Sequence, residues 1–393
     1  MGGKSVSLSL IVLLAAMIAT TPLAIDMYLP AMPSMAQHMN THIGAVQQSL
    51  SIYLAAYAGG MLLFGPLADA LGRRPLALFG LTGFAVASFV LSTVNTIEWF
   101  LTWRAIQAFS GAASSVVVPG IIRFLYREHT AKGMSYMSLI MMLAPLLAPS
   151  IGSGILWLSG WHMIFVTQGI YGALMALLAW RYLPEIKAKG SSRKIAFLNG
   201  YRTVFANKSA HPLIATMVFV SFAFFCFITA MPFIYIEYFG VSEHYFGMLF
   251  GVNVFTLMLT NVFNSRLVTR LGSPCMLRIG LTIAAISVSL LCLFNFFGFG
   301  LWYTVCTVAP LTAGLSLVTT NTDAMVIMKF PDNSGTATAV TGTLRFGSGA
   351  LAGPLLALAY TGSAMPFSLL MLAGVSGVMA CQIWMRISAR RAA

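Results

Sequence analysis

GPLADALGRRP, residues 65–75, is the stretch on which the reading of this chain turns. An apolar run precedes it (about 45–67) and another follows it (about 76–94), each near the ~20 residues that a membrane-spanning helix needs. The stretch is therefore a short charged connector between two spans. Gly65 and Gly72 permit a tight helix–loop–helix turn, because glycine enters backbone conformations closed to other residues. Asp69 can pair with Arg73 or Arg74 within the turn.

Working outward, apolar runs of similar length recur at about 7–28, 45–67, 76–94, 99–122, 134–157, 162–183, 212–236, 246–264, 278–297, 301–325, 335–359 and 364–386. The chain is 59% hydrophobic and 8% charged, against roughly a quarter charged in a soluble globular domain. The runs are continuous, not alternating with period two, which argues against a β-barrel. The expected class is an all-α integral membrane protein with twelve transmembrane helices.

With the N-terminus placed in the cytoplasm, 20 of the 22 lysines and arginines fall in cytoplasmic segments. The two others, Arg104 and Arg345, lie inside predicted spans. Positive-inside sorting thus accounts for the net charge of +13, and no nucleic-acid partner is required. Both termini are expected in the cytoplasm. The first run is expected to be a retained helix and not a cleaved signal peptide. The five cysteines fall in spans or a cytoplasmic loop, so free thiols are expected.

The longest polar segment, 184–211, follows the sixth span and divides the chain into 1–183, a cytoplasmic linker, and 212–393. Part of the linker, AFLNGYRTVF (196–205), suits either an amphipathic helix on anionic lipid or a solvated connector. At an offset of 200 the halves show a weak repeat: Leu67/Leu267, Leu71/Leu271, Gly72/Gly272 and Asn95/Asn295. Two parallel six-helix repeats, with a binding site between them near the midplane, form a transporter architecture.

GPLADALGRRP matches the G-x-L-A-D-x-x-G-R-R-P signature of the major facilitator superfamily in sequence, position and topological side. PLAIDMYLPAMP (22–33), QQSLSIYLAAYAGGMLLFGPLAD (47–69), FNSRLVTRLG (263–272) and GTLRFGSGALAG (342–353) resemble the bicyclomycin/chloramphenicol-resistance (Bcr/CflA) branch of its drug:proton antiporters. The resemblance covers essentially the whole chain. It implies two pseudo-symmetric six-helix halves and export of small drugs across the bacterial inner membrane, driven by inward proton flow. It also implies that Gly65, Asp69, Gly72, Arg73 and Arg74 form a cytoplasmic latch, with Asp69 facing the start of the eleventh helix near Ser334 and Gly335. Two departures stand out. Ala108 follows Gln107 where the fourth-helix motif has glycine, and APLLAPSIGSG (144–154) replaces the antiporter motif of the fifth span.

Ionisable groups inside a span are functional candidates by default. Asp26 is expected about one turn inside the outer end of the first span, and Arg104 at similar depth in the fourth. Low dielectric and a nearby guanidinium act in opposite senses on a carboxyl's proton, so Asp26 is the first candidate for proton coupling. Arg104, with Gln107 on the same helix face, is expected to orient either that carboxylate or the substrate. The alternative is a water-exposed Asp26 that merely caps the helix beside Pro30. Asp323 is a second coupling candidate, or an interfacial charge near Lys329. Arg345 is a substrate contact or a partner for Asp323. Tyr53, Tyr57, Met61 and Phe64 share one face of the second span and are expected to line a pocket, with Asn253 of the eighth span a further polar candidate. The 24 methionines suit an adaptable, weakly specific pocket. Ala148-x-x-x-Gly152 and Gly349-x-x-x-Gly353 are expected to form moving seams between the halves.

No Walker A, metalloprotease or nucleophile-elbow pattern is present, so neither an enzyme nor ATP drive is indicated, and no cofactor or metal is expected. The expected activity is proton-coupled export of phenicol- or bicyclomycin-like drugs by alternating access. The alternative is export of a physiological metabolite or small peptide with drugs as incidental cargo. The expected partners are the drug, protons and membrane lipid, with the protein a monomer in the bacterial inner membrane.

Overall fold

The computed structural model describes residues 8–126, 130–185, 204–330 and 334–392. Among these residues the secondary structure is helical throughout, because hydrocarbon leaves backbone groups no partner outside the segment itself. The elements are α1 (Leu8–Asp26), α2 (Met32–His38), α3 (Ile43–Leu71), α4 (Arg73–Leu91), α5 (Ile97–Tyr126), α6 (Thr130–Ser159) and α7 (His162–Tyr182). They continue as α8 (His211–Pro232), α9 (Glu243–Leu271), α10 (Ser273–Phe296), α11 (Leu301–Lys329), α12 (Ser334–Gly349), α13 (Ala352–Leu358) and α14 (Met365–Ala392). A 3₁₀ turn, Leu29–Ala31, joins α1 to α2, and a π-helical segment, Phe233–Tyr238, extends α8. Thirteen of these fourteen helices occupy the twelve predicted runs, with the eleventh run broken into α12 and α13, while α2 lies beyond the first run. Nine spans are long and apolar enough, among the described residues, to cross a membrane. None of the five cysteines is in a disulfide. The predicted amphipathic stretch of the linker lies almost wholly outside the described residues.

Two compact units make up the chain: Met1–His42 with Ile52–Lys194, and Ile43–Ser51 with Ile195–Ala393. Inside the first, α1 packs on α5, α6 and α7, and α4 packs on α5 and α7. Inside the second, α8 packs on α11, α12 and α14, and α10 packs on α11 and α14. One packing scheme is thus used twice, as the repeat in the sequence requires.

The repeat is visible at the backbone. Gly72 between α3 and α4 has φ 93° and ψ 153°, and Gly272 between α9 and α10 has φ 77° and ψ 155°. Only glycine occupies that region without strain. Gly80 of α4 lies against the backbone of Ser110 and Ser114, and Gly280 of α10 lies against Gly314 and Leu317. Absent Cβ atoms at these positions 200 apart let each helix pair meet at the main chain, where dispersion contacts replace the hydrophobic drive that lipid cannot supply. Replacing Gly72 or Gly272 by alanine is expected to cost about 1–3 kcal/mol each. A fall in the thermal midpoint of detergent-purified protein would register it, and an unchanged midpoint in both variants would refute the backbone argument.

Candidate functional site

The first span carries three prolines, Pro22, Pro30 and Pro33, and a proline supplies no amide donor to its own turn. α1 stops at Asp26, and the chain passes through the 3₁₀ turn into α2 before the membrane segment ends at His38. Asp26 is thus the last residue of α1, at the point where the span breaks. It is buried at the helix break. Neighbouring helices hold the broken segment. Gly152 of α6 abuts the Met27 carbonyl so closely that any side chain there would collide with it. From α7, Gln168 donates to the Leu23 carbonyl (3.3 Å) and Tyr171 to the Ala16 carbonyl (2.8 Å). Of the glycines expected on seams between halves, Gly152 meets Met27 and Gly349 meets the Phe225 ring of α8, each within its own half, whereas Gly353 donates its amide to Ser51 Oγ of α3 (2.9 Å), a segment of 1–183 that packs in the second unit. Close packing at a kinked helix consumes small residues as readily as sliding does.

Arg104 is fully buried on α5, and no carboxylate among the described residues lies within ion-pair distance of it. Its guanidinium sits instead between two aromatic faces, 4.4 Å from the Tyr28 ring centre and 4.5 Å from that of Tyr53. Phe165 closes a third side at 5.9 Å. Nη1 donates to Gln107 Oε1 (2.6 Å), while Nε and Nη2 have no hydrogen-bond partner among the described residues. Gln107 in turn donates to Ser88 Oγ (2.7 Å) and Gln168 Oε1 (3.0 Å). A permanently charged group has been placed in low dielectric and compensated by ring quadrupoles and one amide oxygen. Arg104 is brought to Tyr28, two residues beyond Asp26, while the Asp26 carboxylate has no ion pair or hydrogen bond among the described residues.

Tyr53 and Tyr57 stack with ring centres 6.2 Å apart, beside Thr21 and Ser115, whose hydroxyls are 3.3 Å apart. Met61 is half-buried. Phe64 leaves this group: it packs on Phe79 and Phe109 (4.8 Å for the latter) in the core shared by α3, α4 and α5. Tyr28, Ser88 and Gln168 were missed in the sequence. Tyr28 follows Asp26 by two residues and a glutamine inside a predicted span was a usable signal, but serine in a span carries none.

The second unit holds its own polar groups. Asp323 of α11 and Arg345 of α12 form an ion pair, Oδ2 to Nη2 at 2.5 Å, one of the alternatives weighed for Arg345. Asn253 is buried on α9 and donates to the Leu249 carbonyl (3.1 Å), with Tyr235 of the π-helical segment 3.5 Å away. π-helical insertions are frequent at functional sites because they redirect side chains. A seam that the sequence did not reveal joins α9 to α11. Asn261 donates to Ser316 Oγ (3.0 Å) and accepts from Thr320 (3.1 Å), and Asn321 donates to Asn264 Oδ1 (2.9 Å).

At the connector of residues 65–75, Arg73 donates to the Gly120 carbonyl of α5 and Arg74 to the Trp180 carbonyl of α7. Both arginines thus tie the turn to the C-terminal parts of neighbouring helices. The Asp69 side chain and those of Ser334 and Gly335 lie outside the described residues.

A broken membrane helix with an intramembrane carboxylate, and one six-span packing scheme used twice, define a multi-pass membrane transporter. The Major Facilitator Superfamily profile matches residues 12–354, and the chain belongs to that superfamily of transporters, which are not enzymes. A bicyclomycin resistance protein homolog of Haemophilus influenzae is 32% identical over 88% of each chain. A chloramphenicol resistance protein of Pseudomonas aeruginosa is 33% identical over 66% of this chain and 62% of its own. The Multidrug transporter MdfA of Yersinia pestis is 30% identical over 66% of this chain and 64% of its own. These relatives agree with the bicyclomycin/chloramphenicol-resistance branch expected from the sequence. Among solved structures, a D-xylose–proton symporter superposes with a TM-score of 0.74 at 16% identity, covering 96% of this chain and 97% of its own. The nucleoside transporter NupG does so at 0.73 and 14%, covering 97% and 99%. At these identities the structures speak for the fold alone.

Gln107→Leu would strip the Arg104 guanidinium of its hydrogen bond and leave Ser88 and Gln168 without that donor. The expected cost is about 1.5–3 kcal/mol, seen as a lower thermal midpoint in detergent. A midpoint equal to wild type would show that the aromatic faces alone hold the charge.

Proposed function

We propose that the protein exports small neutral drugs of the phenicol and bicyclomycin type across the bacterial inner membrane in exchange for protons, and that Asp26 carries the proton. The observation behind this reading is the unpaired state of Asp26. It is a buried carboxylate at a helix break inside a span, with no cation beside it among the described residues, whereas Asp323 is neutralised by Arg345. A carboxylate without a fixed counter-charge can be protonated and deprotonated in turn, and each change alters the charge held in low dielectric by a whole unit. The names of the relatives, which denote bicyclomycin, chloramphenicol and multidrug resistance, supply the substrate class.

In this proposal the proton enters Asp26 from the acidic outer side and leaves to the cytoplasm as substrate replaces it. Tyr53, Tyr57 and Met61 contribute ring and thioether surface to the first unit's share of the site. Arg104 and Gln107 hold Tyr28 and Tyr53 in place and contact substrate through them. Asn253 and Arg345 contribute from the second unit, and Asp323 acts with Arg345. Gly65, Asp69, Gly72, Arg73 and Arg74 act as the cytoplasmic latch. We further assign residues 1–183 and 212–393 as the two moving halves, 184–211 as their linker, both termini to the cytoplasm, and a monomer as the working unit within lipid.

Everted vesicles energised to acidify the lumen test the reading directly. Chloramphenicol, florfenicol or bicyclomycin should trigger proton release reported by a lumenal pH dye, and Asp26→Asn should abolish it. Release that survives in Asp26→Asn would move the proton to another group. No release with any of the three drugs in wild type would favour a metabolite as cargo.

A further inference from the structure

Asp323 and Arg345 touch through one contact only, Oδ2 to Nη2 at 2.5 Å. A carboxylate and a guanidinium fully engaged with each other would share two parallel hydrogen bonds. Here the second pair of valences is open: neither Asp323 Oδ1 nor Arg345 Nε has a hydrogen-bond partner among the described residues. The large majority of buried side-chain polar atoms in folded proteins are satisfied, so an open acceptor and an open donor on one ion pair call for an occupant.

Their surroundings point to where that occupant sits. Ser316, Thr320 and Asp323 follow at spacings of four and three, so they form one stripe along α11. Asn261 of α9 bonds the first two, and Arg345 of α12 bonds the third. Thr320 is exposed, and the side chains of Arg345 and Asp323 are 31% and 32% exposed. An ion pair whose side chains are about a third exposed within a span is better placed against water than against lipid.

We infer that the Asp323–Arg345 pair is a substrate subsite for a neutral amide edge, a group that presents an N–H donor and a carbonyl acceptor side by side as cis amides and lactams do. The carboxylate Oδ1 accepts the ligand N–H, and Arg345 Nε donates to the ligand carbonyl. The pair is net neutral, so it selects uncharged ligands, and both new bonds are charge-assisted and stronger than those to a neutral site. Asp26 handles the proton in the first unit, and this pair reads the ligand in the second. The inference rests on the export reading above for the claim that the ligand is cargo.

The test uses full-length protein purified in detergent and equilibrium dialysis with the cyclic dipeptide of leucine and phenylalanine, which carries two cis-amide edges. Its N,N′-dimethyl analogue keeps the carbonyls and loses both donors. Wild type should bind the parent at least about tenfold more tightly than the analogue, the factor expected when a charged acceptor loses its partner. The double variant Asp323→Asn with Arg345→Gln keeps a hydrogen bond between α11 and α12 without charges, and there the preference should fall to near unity. Thermal midpoint and elution profile verify that the variant is folded. Should the variant fail to fold, Arg345→Lys, which keeps the charge and loses the planar fork, should weaken the parent by about tenfold. Equal binding of the two compounds by wild type overturns the inference, as does a tenfold preference that survives in a folded double variant. Absence of parent binding alongside intact chloramphenicol-triggered proton release sinks the subsite and leaves the export reading standing. A retained N–H preference without any drug-triggered release does the reverse.

Discussion

Hydrocarbon offers a peptide group no hydrogen bond, and the interruption of the first span after Asp26 is where that constraint organises the molecule. Pro22 withholds an amide from the interior of α1, and Pro30 and Pro33 stand in the first turns of the 3₁₀ segment and of α2, where a missing amide costs nothing. The structure answers by closing neighbours onto the exposed main chain: Gly152 comes down on the Met27 carbonyl, and Gln168 and Tyr171 reach carbonyls of α1. Once α1 is held in this way by α6 and α7, the first unit has a rigid interior in which a carboxylate and a guanidinium can be kept apart. Removing the break would return Asp26 to a continuous helix with lipid or helix on every side.

The two charged centres in the first unit are compensated by different means. Arg104 spends its charge on the faces of Tyr28 and Tyr53 and on one amide oxygen. Asp26 has no such compensation among the described residues. This asymmetry separates a group that stays charged from one free to change its charge, which is a requirement for coupling a proton to cargo. In the second unit the logic is inverted. Asp323 and Arg345 neutralise each other, and the asparagine seam between α9 and α11 adds neutral hydrogen bonds. One packing scheme, used twice, thus carries two chemistries.

Amino-acid order alone determined the class, the number of spans, the repeat and the family. Apolar length and basic-loop bias are local properties that survive without any neighbour, and Gly72 and Gly272 are legible because a Gly-only turn cannot be coded otherwise. Asp26, Arg104, Asp323 and Arg345 stand out for the same reason, as charges in runs that otherwise exclude them. Partnership was decided by tertiary structure. Periodicity places Tyr53 and Phe64 on one face, yet one stacks beside a guanidinium and the other fills a core of three helices. Arg104 finds aromatic rings instead of Asp26 because the break in the first span carries the chain past Asp26 and presents Tyr28. Small-residue ridges mark close approach without naming the neighbour: Gly152 and Gly349 meet groups of their own halves, and Gly353 meets Ser51 of α3. Which side chain meets which depends on helix rotation and on the angle after a break, and those follow from packing over the whole unit and not from any one segment.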